Sequence, residues 1–121
     1  MARVLVSEKL AAAGLDLLRA RGHEVDVRLD LSAKELQLAI TDADALIIRS
    51  ATVVDERLLE AGRQLQVVGR AGVGLDNVDT AAATSRGILV CNAPESNVVS
   101  AAEHSVGLLL ALARNLPQAH A

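Results

Sequence analysis

The chain has 121 residues, a formal net charge of −3, 51% apolar and 22% charged residues, and no Phe, Trp or Tyr. That length suits one domain of ordinary size, whose core must be built from Leu, Val, Ile and Ala. The lack of rings excludes the stacking platforms of single-strand nucleic-acid binders. Net acidity argues against an electrostatic surface for DNA, and the apolar content argues against disorder. Cys91 is the single cysteine, so no internal disulfide forms. With no signal-peptide pattern at the start, a reducing, cytoplasmic setting is expected. The longest apolar stretch, Val106 to Ala113, is far short of the ~20 residues that span a bilayer.

Arg3 to Ser7 reads as a short strand, and Glu8 to Arg21 as a helix with Leu10, Gly14, Leu17 and Leu18 at helical spacing, stopped by Gly22. His23 to Arg28 alternates polar and apolar residues, as a half-covered strand does. The capping box Ser32-Ala-Lys-Glu35 opens a helix carrying Leu36, Ala39 and Ile40. Ala43 to Ile48 is a buried strand ending at Arg49-Ser50, and Asp55 caps a helix with Leu58 and Leu59 that Gly62 stops. Leu65 to Val68 begins a fourth strand ending at Gly69-Arg70. Asp79 opens a helix through Arg86, and Ile88 to Cys91 is a fifth strand. A second capping box, Ser100-Ala-Ala-Glu103, is expected to open a last helix running to about Leu116, ahead of Pro117.

Strict alternation with short connections implies an α/β fold, a flavodoxin-like doubly wound parallel sheet of about five strands, plus a C-terminal apolar helix. That helix is Leu, Ala and Val around most of its circumference, so it belongs buried. It is either the fifth helix of the domain or a surface against another domain or subunit.

In open α/β sheets ligands bind beyond the carboxyl ends of the strands. Ser7-Glu8, Arg49-Ser50, Arg70 to Gly74 and Asn92 to Asn97 stand there. Two arginines, bare glycine turns and small amides make an anion pocket, since guanidinium forks and turn amides both favour carboxylate or phosphate. The alternative is that Arg49 and Arg70 are ordinary surface arginines. Gly72-Val-Gly-Leu-Asp-Asn77 does not complete a dinucleotide fingerprint, because Asn77 stands where the third glycine belongs. His23, His104 and His120 lack partners at metal-ligand spacing, and Cys91 is expected to pack as a small apolar residue. No catalytic and no metal residues are assigned.

Leu46-Ile-Ile-Arg-Ser-Ala-Thr52, Val67 to Asp79 and Asn92 to His104, in that order and spacing, resemble the NAD-dependent D-2-hydroxyacid dehydrogenase family. Within it they are most similar to the N-terminal part of members acting on 3-phospho-D-glycerate. The resemblance implies a substrate-binding domain over residues 1–98 and, over 99–121, a helix that leads into an NAD-binding domain and its dimer interface. It implies substrate contacts by Arg49 and Ser50, main-chain amides offered by Arg70 to Gly74, an approach of Val73 to the nicotinamide, and Asn97 in the interdomain cleft. The implied reaction is oxidation of 3-phosphoglycerate to 3-phosphohydroxypyruvate with NAD, feeding L-serine biosynthesis. The family's Gly-x-Gly-x-x-Gly turn, its catalytic Arg, Glu and His, and a segment returning to the substrate domain have no counterparts here. These 121 residues alone are therefore expected to be inactive, and to form a homodimer through the helix from Ser100 to Leu116. The rival reading is a non-catalytic anion-binding or regulatory module derived from such a dehydrogenase.

Overall fold

A computed structural model describes residues 1–93 and 98–113 of the chain. Five parallel strands alternate with helices: β1 (Arg3–Val6), α1 (Ala12–Ala20), β2 (Glu24–Val27), α2 (Ala33–Ala39), β3 (Ala45–Ile48), α3 (Glu56–Ala61), β4 (Val67–Arg70), α4 (Thr80–Ser85), β5 (Leu89–Cys91) and α5 (Val98–Ala113). The sheet order is β2-β1-β3-β4-β5, and every pairing is parallel. The α/β fold read from the alternation is the one observed.

The order also assigns the layers. The step from β1 to β2 runs one way along the sheet, and the steps from β2 to β5 run the other. Right-handed crossovers then place α1 on one face and α2, α3 and α4 on the opposite face. The three-helix face holds the core. Leu5, Leu46, Ile48 and Val68 from the strands meet Leu36, Leu58, Leu59 and Ala83 from the helices, all buried. The capping box at Ser32 is present, with Glu35 closing it, and Asp55 and Asp79 cap α3 and α4 through their carboxylates.

The second face is thinner. Val4 and Val6 are buried, but α1 buries no residue, and Leu89 is 63% exposed. Cys91, expected to pack as a small apolar side chain, is exposed instead. Its register partner is Gly69, so it stands on the face that α2, α3 and α4 do not cover.

Two helix starts differ from expectation. The first helix begins at Ala12 instead of Glu8, after Ala11 in extended backbone (φ −59°, ψ 138°). The last begins at Val98, which puts Ser100 inside it instead of at its cap. Val106, Leu108, Leu109 and Leu110 on that helix are exposed. Its expected end near Leu116 lies outside the described residues.

Candidate functional site

The carboxyl ends of β1, β3, β4 and β5 converge on two neighbouring loops, residues 49–55 and 71–79. A short parallel bridge joins them, Val54 to Val78. The Val54 N–H donates to Asn77 O and the Asp79 N–H to Val54 O, both at 2.8 Å.

The first loop carries Arg49 and Ser50, both exposed. Its backbone is held by side chains from two other segments. Glu8, just past β1, accepts N–H groups from Arg49, from Ala51 at 3.0 Å and from Thr52 at 3.1 Å. From the other side the Asn77 amide donates to the carbonyls of Arg49 and Thr52, each at 2.7 Å. The hydroxyls of Ser7 and Thr52 share a hydrogen bond of 2.9 Å. The Arg49 guanidinium donates only to the Lys9 carbonyl, at 3.3 Å, and has no acidic partner among the described residues. Burial pushes the Glu8 carboxyl up, yet the donors of Ala51, Arg49 and Thr52 outweigh it and hold it below the usual carboxylate value.

The glycine turn is organised from within. Arg70, whose side chain is 12% exposed, sends Nη1 to Asp76 Oδ1 at 2.8 Å and to the side-chain Oδ1 of Asn77 at 2.7 Å. The bond from Arg70 keeps the exposed Asp76 carboxyl below its ordinary value. The turn closes tightly over the guanidinium. A Cβ on Gly72 would stand 3.4 Å from Arg70 Nε, and one on Gly74 3.4 Å from Nη1. At Gly74 that Cβ would also stand 3.0 Å from Asp76 Oδ1, so close approach accounts for Gly74, whereas at Gly72 it would make ordinary contact. Arg70 Nε is buried and has no partner among the described residues. On the far side Asn92 donates to Val73 O at 2.7 Å, and the Ala93 N–H donates to Gly72 O at 2.8 Å. Val73 and Gly74 are left exposed at the tip.

Arg49, Ser50, Val73 and Gly74 therefore stand exposed on two tied loops, while Arg70 is turned into the structure. Asn97 lies outside the described residues. A cleft of about 560 Å³ opens on the β2 side of the first loop, lined by Glu8, Lys9, Asp30, Arg49 and Asp55 among others. It takes in Arg49 and none of the other expected site residues. Glu8 and Asn77 hold the loops together, and sequence reasoning left both without a role. The signal for Asn77 was there, as the residue that spoils the dinucleotide fingerprint.

A five-stranded parallel sheet with two tied loops at its carboxyl edge defines a doubly wound α/β domain. Residues 4–111 match the family of D-isomer specific 2-hydroxyacid dehydrogenases, catalytic domain, and the chain belongs to that family. It is similar to D-3-phosphoglycerate dehydrogenase 3, chloroplastic, of Arabidopsis thaliana, 56% identical over 119 residues, covering 98% of this chain and 20% of that protein. The D-3-phosphoglycerate dehydrogenase of Synechocystis sp. is 47% identical over 120 residues, covering 99% and 22%. Among solved structures, a protein of Thermus thermophilus superposes with a TM-score of 0.84 at 36% identity, covering 96% of this chain and 38% of that one. The NAD+-bound 3-phosphoglycerate dehydrogenase of Entamoeba histolytica gives 0.78 at 28%, covering 91% and 38%. The chain thus spans about a fifth of the curated relatives it matches.

Proposed function

We propose that the chain is the substrate-binding part of an NAD-dependent dehydrogenase that oxidises 3-phospho-D-glycerate to 3-phosphohydroxypyruvate, a step toward L-serine. The observation that carries this reading is Arg49, an exposed guanidinium free of acidic partners among the described residues, on a loop with a fixed backbone. The likeness to 3-phosphoglycerate dehydrogenases along the whole chain supports it. Arg49 grips the substrate's phosphate or carboxylate in a charge-assisted fork, with Ser50 beside it. The Val73 and Gly74 amides meet the carboxylate, Asn97 lines the cleft, and Arg70 serves the site by bracing the turn that presents those amides.

NAD as hydride acceptor and the general base belong to the rest of the enzyme. The glycine turn here does not fit a dinucleotide's phosphates, because Arg70 fills it. Val73 alone approaches the nicotinamide. This chain contributes binding and orientation, which lower the barrier by fixing the reacting carbon in place.

Residues 1–98 form the substrate domain in this reading, and 99–121 lead into the cofactor domain. The exposed leucines of α5 pair it with a second copy as a homodimer, since leaving several Leu side chains in water forfeits ~1.5–3 kcal/mol each. No helix among the described residues is long and apolar enough to cross a membrane, and the cytoplasm is the proposed setting.

The test is titration of the chain with 3-phosphoglycerate and with D-glycerate, followed by amide chemical shifts. Binding of the phosphorylated acid at residues 49–50 and 73–74, lost in Arg49→Ala, is expected. Equal binding of both acids, or none, refutes the substrate assignment. NADH formation by the 121-residue chain alone would overturn the division of labour.

A further inference from the structure

Residues 49–52 belong to no helix or strand, so their backbone groups have no ladder to join. A loop of this kind at a sheet edge is ordinarily satisfied by water and samples many conformations. Here side chains replace the water. Three of the four N–H groups end on one carboxylate, and two carbonyls end on one primary amide.

We propose that Glu8 and Asn77 are positioning residues that clamp the loop from opposite sides and so aim Arg49 and Ser50 at the ligand's anionic group. The inference rests on the substrate-binding reading given above. It adds two residues that touch no ligand themselves.

The chemistry of each residue suits its half of the clamp. A carboxylate offers about four acceptor sites and no donor. Glu8 places Oε2 on the N–H groups of Arg49 and Thr52, and Oε1 on that of Ala51. Occupied in this way by three backbone donors, it does not pair with the neighbouring guanidinium, and no salt bridge joins the two. Arg49 keeps its fork for an incoming anion although an acid stands close by. Asn77 needs an acceptor toward Arg70 and two donors toward the loop, and only a primary amide supplies both. Its oxygen receives Arg70 Nη1, which fixes which end of the amide faces the loop. The glycine turn and the arginine loop are thereby held in one relative placement.

The clamp is tested on the 121-residue chain with Glu8→Gln and Asn77→Asp, both nearly isosteric. Glutamine offers one acceptor oxygen where there were two, and aspartate presents a carboxylate to two carbonyls. The readouts are the amide signals of Arg49, Ala51 and Thr52 and the dissociation constant for 3-phosphoglycerate. The expected result is a shift of those signals in both variants, undisturbed signals in α4 and β5, and binding weakened about tenfold. Glu8→Asp, which keeps the carboxylate, is expected to retain much of the affinity. Loop signals and affinity like those of the unaltered chain in both variants would overturn the clamp. Glu8→Asp as weak as Glu8→Gln would overturn the carboxylate's part in it. An unaltered chain that binds no 3-phosphoglycerate, with loop signals still moved by both substitutions, refutes the substrate reading and leaves the clamp standing. Should Glu8→Gln fail to fold, Asn77→Asp decides by the same two readouts.

Discussion

The loop after β3 and the loop after β4 both leave an apolar strand through an arginine, yet one arginine stands free and the other is spent inside its own turn. The register explains the difference. Arg70 pairs with Ile48, not with Arg49, so it shares the face of a side chain that is fully buried. Arg49 comes one residue later, past the end of β3, where it is exposed and its guanidinium reaches the Lys9 carbonyl. The consequence is structural as well as chemical. The first loop is held from outside by Glu8 and Asn77, which frees its arginine, whereas the second is held from inside by its arginine, which frees its backbone tip. The two loops present complementary donors, a guanidinium from one and main-chain amides from the other, and Asn77 joins them.

Arg70→Ala is the largest test of this contrast. It removes the bonds to Asp76 and Asn77 and leaves the glycine turn without its filling. Asp76 is exposed, so its ion pair contributes little, and most of the loss comes from the Asn77 bond and the buried stem. A stability loss of about 1.5–3 kcal/mol in urea unfolding is expected, together with weakened ligand binding. Arg70→Lys is not expected to restore either, since an ammonium lacks the planar fork.

Arg49→Ala should do the reverse. Stability is expected to stay within about 0.5 kcal/mol, while affinity for 3-phosphoglycerate falls on the order of 10- to 150-fold. Equal stability losses for the two arginine variants would erase the distinction between the loops.

A smaller effect is expected from Gly74→Ala. The added Cβ would lie 3.0 Å from Asp76 Oδ1 and 3.4 Å from Arg70 Nη1. The Asp76 side chain is exposed and can move aside, but only by loosening its ion pair. A loss of about 1 kcal/mol or less is expected in the same unfolding assay, with a shifted Val73 amide signal.

The smallest effect is in the pH dependence. The Glu8 carboxyl is held below its ordinary value in the fold, as is that of Asp76. A group with a depressed folded pKa stabilises the fold above its unfolded pKa, and the contribution is lost as pH falls through the folded one. Stability near neutral pH should therefore be flat in these groups and decline below about pH 4. Lys9, Arg49, Asp30 and Asp55 line the same cleft as Glu8 and remain in place in Glu8→Gln. That variant is expected to lose part of the acid-side slope in thermal unfolding against pH. A slope unchanged in Glu8→Gln would mean that the loop does not hold the carboxylate ionised.

Much of this protein was legible in its sequence because the governing signals are local. Apolar runs of four residues, the capping box at Ser32, and the caps at Asp55 and Asp79 fix where strands and helices form. Alternation with short connections leaves the parallel sheet as the arrangement that buries them. The same reading located the carboxyl edge and brought Arg49, Ser50, Val73 and Gly74 to it. Three things depended on tertiary structure. The register between β3 and β4 decided which arginine is free, and pairing between segments so far apart in sequence leaves no local trace. Glu8 and Asn77 took their roles from loops 41 and 25 positions away, where an acid past a strand and an amide in a turn look ordinary in sequence. The uneven cover of the two sheet faces, which exposes Cys91, followed from the direction in which each crossover runs, a property of the strand order and not of any one segment.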